Sequence, residues 1–120
     1  MVRHPVFTLA AALLAGGVLY FGVQFGSTVA GGSDSYGYVS QAERWRTGRL
    51  VQQQDIVRES PWPWADQTWS PLGYRPRPDR RDTIVPLYPV GLPLLMALFQ
   101  VAAGYCAAFL VVPCCGALLV

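Results

Sequence analysis

Apart from Arg3, every ionised side chain in this 120-residue sequence lies between Asp34 and Asp82. That segregation constrains the fold more than any single motif does. Two nearly uncharged ends belong in lipid, and a polar middle belongs in water. The first uncharged run, Val6 to Phe25, reads VFTLAAALLAGGVLYFGVQF, and only Thr8 and Gln24 in it are clearly polar. About 20 residues of helix cross the hydrocarbon core of a bilayer. Pro5 suits a first helical turn, Gly16 and Gly17 suit close packing between membrane helices, and Tyr20, Phe21 and Phe25 suit the far interface. The run predicts an uncleaved span. A cleaved signal peptide is the competing reading, with Arg3 as the basic start and Thr28-Val29-Ala30 as a small-residue cleavage site. Apolar cores of signal peptides are typically about 7–15 residues, shorter than this run.

The composition agrees with the segregation. Hydrophobic residues make up 52% and charged residues 13%, against roughly 25% charged in an average soluble domain. A net charge of +2 is too small to imply a nucleic-acid partner. All basic residues are arginine, which suits bidentate contacts to phosphate or carboxylate, although a coding bias gives the same pattern. Cys106, Cys114 and Cys115 lie in the apolar C-terminal run and show neither metal-ligand spacing nor a disulfide framework. His4 is the sole histidine, so no histidine-based site can be assembled.

The polar middle opens with GGSDSYGYVSQAERWRTGR, Gly31 to Arg49. Ser33 to Gly48 is expected to form a short helix, with Ser33, Asp34 or Ser35 capping its start and Gly48 ending it. Tyr38, Ala42 and Trp45 recur at helical spacing and give one apolar stripe, leaving Glu43, Arg44 and Arg46 for water or headgroups. From Leu50 to Pro86 no period is visible. Six prolines and Trp62, Trp64 and Trp69 predict extended segments and turns. Leu87 to Ala103 begins a new apolar helix, with Pro89 and Pro93 in its first turns. It is near the lower length for a span, so a crossing and an interfacial or re-entrant helix both stand. Tyr105 to Val120 is apolar to the last residue without an anchoring flank, which predicts a further span in a truncated chain.

Orientation is set by two opposed counts. The loop holds eight arginines against Arg3 on the N-terminal flank, but none lies within the first dozen residues after Phe25. Charges near span ends count most, which favours a cytoplasmic N-terminus and an extracytoplasmic loop.

Two features carry candidate chemistry. Asp34 follows the first span in a Gly- and Ser-rich setting, where a helix cap is the plain reading. The aromatic loop reads plainly as an interfacial belt, with a platform for a sugar ring or polyprenyl tail as the alternative.

The order GSDSYGYVSQAERWRTGRL, then TWSPLGYRP, then IVPLYPVGLPLLMALFQ resembles the start of the type C membrane glycosyltransferases. That family includes the dolichyl-phosphate-mannose–protein mannosyltransferases and the bacterial aminoarabinose transferases. Asp34 matches its acidic position in the first extracytoplasmic loop, and Tyr88-Pro89-Val90-Gly91-Leu92-Pro93 matches its return segment. Ser35 stands where many members carry a second acid, and Val90 where a second proline is usual. The resemblance implies transfer of a sugar from a polyprenyl-phosphate donor to an acceptor hydroxyl. Asp34 would then be the general base or orient the acceptor. Tyr36 joins it as a substrate contact, and Arg75, Arg77, Arg80 and Arg81 are candidates for the lipid phosphate.

The expectation is therefore an all-α integral membrane protein of the bacterial plasma membrane. Residues 1–30 form the tail and span, 31–86 the first extracytoplasmic loop, and 87–120 the membrane-returning helices. The sequence establishes no cofactor with certainty and leaves a divalent metal open. Membrane lipid and the polyprenyl-phosphate donor are the expected partners. As an isolated piece the chain is expected to lack catalysis, because one loop cannot hold donor and acceptor in register. The rival class is a small membrane-anchored or secreted interaction module that binds through its Trp- and Pro-rich loop.

Overall fold

The computed structural model describes residues 5–120, so Arg3 and His4, the basic N-terminal flank, lie outside the described residues. Helix α1, Pro5–Phe25, is the one helix among the described residues that is long and apolar enough to cross a membrane. None of its residues is buried, and Phe7, Leu9, Leu13, Phe21 and Phe25 are all largely exposed. A signal sequence near an N-terminus can pass the same test of length and composition.

Helix α2, Ser33–Thr47, starts after Gly32 and ends at Gly48, whose φ of 68° is the left-handed stop expected there. Of the three candidates for its cap, Ser35 is the one that acts. Ser35, three positions into the motif, accepts the Gly32 N–H at 3.0 Å and donates to the Gly32 carbonyl at 2.8 Å. Asp34 takes no part in the cap. The apolar stripe buries Val39 and Ala42, with Tyr38 and Trp45 packed at its margin. Glu43 and Arg46 pair on the exposed face, but Arg44 turns back and donates to Gln52 at 2.6 Å.

The Pro-rich segment departs from the all-helical expectation. It holds a three-stranded antiparallel sheet, β1 (Gln52–Gln53), β2 (Tyr74–Pro76) and β3 (Thr83–Pro86), in the order β1-β3-β2. Gln52 faces Ile84, and Tyr74, Arg75 and Pro76 face Pro86, Val85 and Ile84. The two prolines sit at strand ends, where a missing N–H costs least. Ile84 is the buried centre of the sheet. Two short helices, α3 (Asp55–Glu59) and α4 (Ala65–Thr68), fill the excursion between β1 and β2.

Helix α5, Gly91–Ala103, starts later than the apolar pattern suggests. Pro89 precedes it and Pro93 falls in its first turn, where no intrahelical N–H is needed. At about 1.5 Å per residue it is about 20 Å long, short of a hydrocarbon core of about 30 Å. It lies along α2 and buries Pro93, Met96, Ala97 and Gln100. The small side chains Ala42, Ala97 and Ala108 let the backbones approach. Gly104, at φ 83°, breaks the helix. A 3-10 segment, Tyr105–Leu110, leads into α6, Val111–Leu118. Helix α6 packs antiparallel on α1, with Pro113 against Gly22 and Gly116 against Val18.

Candidate functional site

Tyr88 is the pivot between the loop and the return to α5. Its ring lies in a slot walled by two glycines. A Cβ added to Gly37 would stand 2.2 Å from Tyr88 Cε2, and one added to Gly73 would stand 2.8 Å from the same atom. Gly73 also has φ 90°, which L side chains rarely adopt. Tyr38 stacks on the ring with centroids 4.5 Å apart and planes 17° apart. The Tyr88 carbonyl accepts from Gln41 Nε2 at 3.1 Å, and the Leu87 N–H donates to the Gly73 carbonyl at 2.8 Å. Tyr74 O–H donates to Ser40 Oγ at 2.9 Å and ties β2 to the same helix.

That clamp aims the phenol at the first turn of α2, where Tyr88 O–H donates to Asp34 Oδ1 at 2.5 Å. Asp34 is therefore a positioned carboxylate, exposed on its other side. The Tyr88 phenol is pushed up to about 12 from its ordinary 10.0, first because Asp34 accepts its hydrogen bond, then through burial and the repulsion between carboxylate and phenolate. A proton held more tightly in the folded state stabilises it fully below about pH 10, and that contribution is lost as the pH rises to about 12. In ¹³Cζ-tyrosine spectra one resonance should titrate near pH 12, and Asp34→Ala, which removes both the acceptor and the charge, should bring it back toward 10. An unmoved resonance in that variant would mean that the pair is not formed.

Ser35, on the same turn, lines an apolar cavity of about 600 Å³. Tyr38, Val39, Leu92 and Met96 close one side of it, and Val18, Gly22, Phe109, Val112 and Pro113 the other. The carboxylate thus stands one residue from a groove between α1, α2, α5 and α6. At the α1–α6 contact Gly22 lets Pro113 pack close, since a Cβ added to Gly22 would stand 2.4 Å from Pro113 Cβ.

The other sequence candidates are dispersed. Tyr36 is exposed on α2. Arg75 is exposed on β2, while Arg77, Arg80 and Arg81 follow at the far end of the ribbon. At about 3.3 Å per residue, the strand carries Arg77 about 13 Å beyond Gly73 and the Tyr88 slot. Arg77 is held by Asp79 through Nε at 2.9 Å and Nη2 at 2.5 Å, which keeps the Asp79 carboxyl below its ordinary range. Among the described residues no ion pair holds Arg75, Arg80 or Arg81. The sequence shows Tyr88 as one of the loop aromatics and as part of the return segment; its role needs the pairing of Gly37 with Gly73, which are far apart in sequence. No three His, Cys, Asp or Glu side chains converge among the described residues. No protein-family model, curated protein or solved structure matches the chain.

Proposed function

We propose that this chain forms the first-loop acidic site of an integral membrane glycosyltransferase, which moves a sugar from a polyprenyl-phosphate donor to an acceptor hydroxyl on the extracytoplasmic side. The observation that supports this reading is the placement of Asp34 and Ser35 on one helical turn, the first fixed by Tyr88 and the second lining the 600 Å³ apolar groove. A polar reactive head beside a long apolar tail is the chemistry of a polyprenyl phosphate, and such a groove suits the tail. Helix α1 spans the membrane with its N-terminus in the cytoplasm, and α2, α5 and the sheet lie at the outer surface.

In this mechanism Asp34 accepts the acceptor's proton as its oxygen attacks the anomeric carbon. The carbon–phosphate oxygen bond breaks on the opposite face, and the electron pair leaves with the lipid phosphate. Arginines suit the charge that develops there. Tyr88 is a positioning residue: its O–H orients the carboxylate and leaves the second oxygen free.

The test is photo-crosslinking in nanodiscs with a polyprenyl phosphate that carries a benzophenone in its tail. Labelled peptides should come from the second half of α1 and from residues 108–116, which line the groove. Unlabelled undecaprenyl phosphate should compete, and phosphatidylglycerol should not. Equal competition by both would make the groove a general lipid surface and overturn the reading.

A further inference from the structure

The tryptophan loop holds a second constellation that the Asp34 site does not use. Trp64 has φ 66°, the sole non-glycine residue at positive φ among the described residues. A bulky side chain is disfavoured there and persists where the surroundings impose it. Three donors impose it here. The N–H groups of Gln67 and Thr68 and the Thr68 hydroxyl all reach the Trp64 carbonyl, at 3.0, 3.0 and 3.1 Å. The turn throws the indole outward, and Trp64 is 67% exposed.

Two cavities of about 260 and 200 Å³ flank that indole, and both are lined by Trp64, Asp66 and Arg81. Trp62 walls the smaller one and packs against Trp69, whose N–H is fixed on Ser60 Oγ at 2.8 Å. Each is smaller than the roughly 300–1,000 Å³ of drug-sized pockets. Among the described residues neither Asp66 nor Arg81 is in an ion pair. The arrangement is an exposed indole with one carboxylate and one guanidinium shared by the two cavities beside it.

We propose that the Trp64 ridge is a saccharide-binding site for two neighbouring pyranose rings, one in each cavity. The C–H face of a pyranose carries partial positive charge and meets the negative face of the indole. Its rim of hydroxyls both donates and accepts, which matches an acceptor-only Asp66 and a donor-only Arg81. A lipid acyl chain would satisfy the indole but would strip water from the Asp66 carboxylate without replacing it. The site stands independently of the Asp34 reading.

Saturation-transfer NMR on the full chain in nanodiscs tests this, with cellobiose, maltose and chitobiose as probes beside their methyl monoglycosides. At least one disaccharide should give saturable transfer at millimolar concentration and bind about tenfold more tightly than its monoglycoside, equivalent to about 1.4 kcal/mol. Trp64→Gly keeps the left-handed turn and removes the ring, so it should fold normally and lose the signal. Arg81→Ala should weaken it. Absence of saturable transfer from every probe, or transfer unchanged in Trp64→Gly, would overturn the proposal. So would quenching of tryptophan fluorescence by brominated acyl chains that Trp64→Gly abolishes, which would place the Trp64 ring in lipid.

Discussion

Replacing Gly37 with alanine is expected to eject the Tyr88 ring from its slot and destabilise the α2–α5 unit by about 1–3 kcal/mol, the usual cost of overpacking a filled site. The new methyl would stand 2.2 Å from Tyr88 Cε2, a distance no real contact sustains. Helix α2 cannot retreat, because Val39 and Ala42 on its neighbouring face are already packed against Met96 and Ala97. The ring must yield instead. It then loses the Tyr38 stack and the Asp34 hydrogen bond together. Tyr88→Ala in the same chain should relieve the clash, so Gly37→Ala should cost much less in that background. Thermal unfolding in detergent, run as a double-mutant cycle, measures the coupling. Equal costs in both backgrounds would show that Gly37 is needed by the helix itself and not by Tyr88.

This slot also marks the limit of what could be read from the chain directly. Helix α2 was legible to within a residue at both ends, because its start, stripe and Gly48 stop are local signals. The long apolar run before it was legible for the same reason. The sheet was not. Its strands are two to four residues long, too short for alternation to show, and β1 is separated from its partner β3 by about thirty positions filled with proline and tryptophan. Helix α5 was placed too early because an apolar composition continues through Leu87 and Tyr88, whereas the Tyr88 backbone is already committed to Gln41 and the segment to Gly73. At the site, Asp34 was singled out by its position after the span. Its partner was not, since a phenol 54 residues away gives no spacing signal. The arginines attracted attention by number, yet the ribbon carries most of them away from Asp34.

On the transferase reading proposed above, Asp34→Asn in the complete enzyme should lower sugar transfer by ~10²–10⁴-fold, the usual contribution of a positioned general base. The assay is transfer of a radiolabelled sugar from a polyprenyl-phosphate donor, in membranes from cells that express the gene at its own locus. Asparagine is the informative substitution because it is nearly isosteric and its carbonyl oxygen still accepts the Tyr88 O–H. The slot should therefore stay intact, and the loss should fall on proton transfer alone. Tyr88→Phe makes the complementary change: it keeps the ring between Gly37 and Gly73 but removes the bond that orients the carboxylate. That variant should cost up to ~10²-fold, the scale of a small misplacement of a reacting group, and so less than Asp34→Asn. Equal impairment of the two variants would make Asp34 an anchor for Tyr88 and put the base elsewhere. Full transfer in a well-folded Asp34→Asn protein would remove Asp34 from the mechanism altogether.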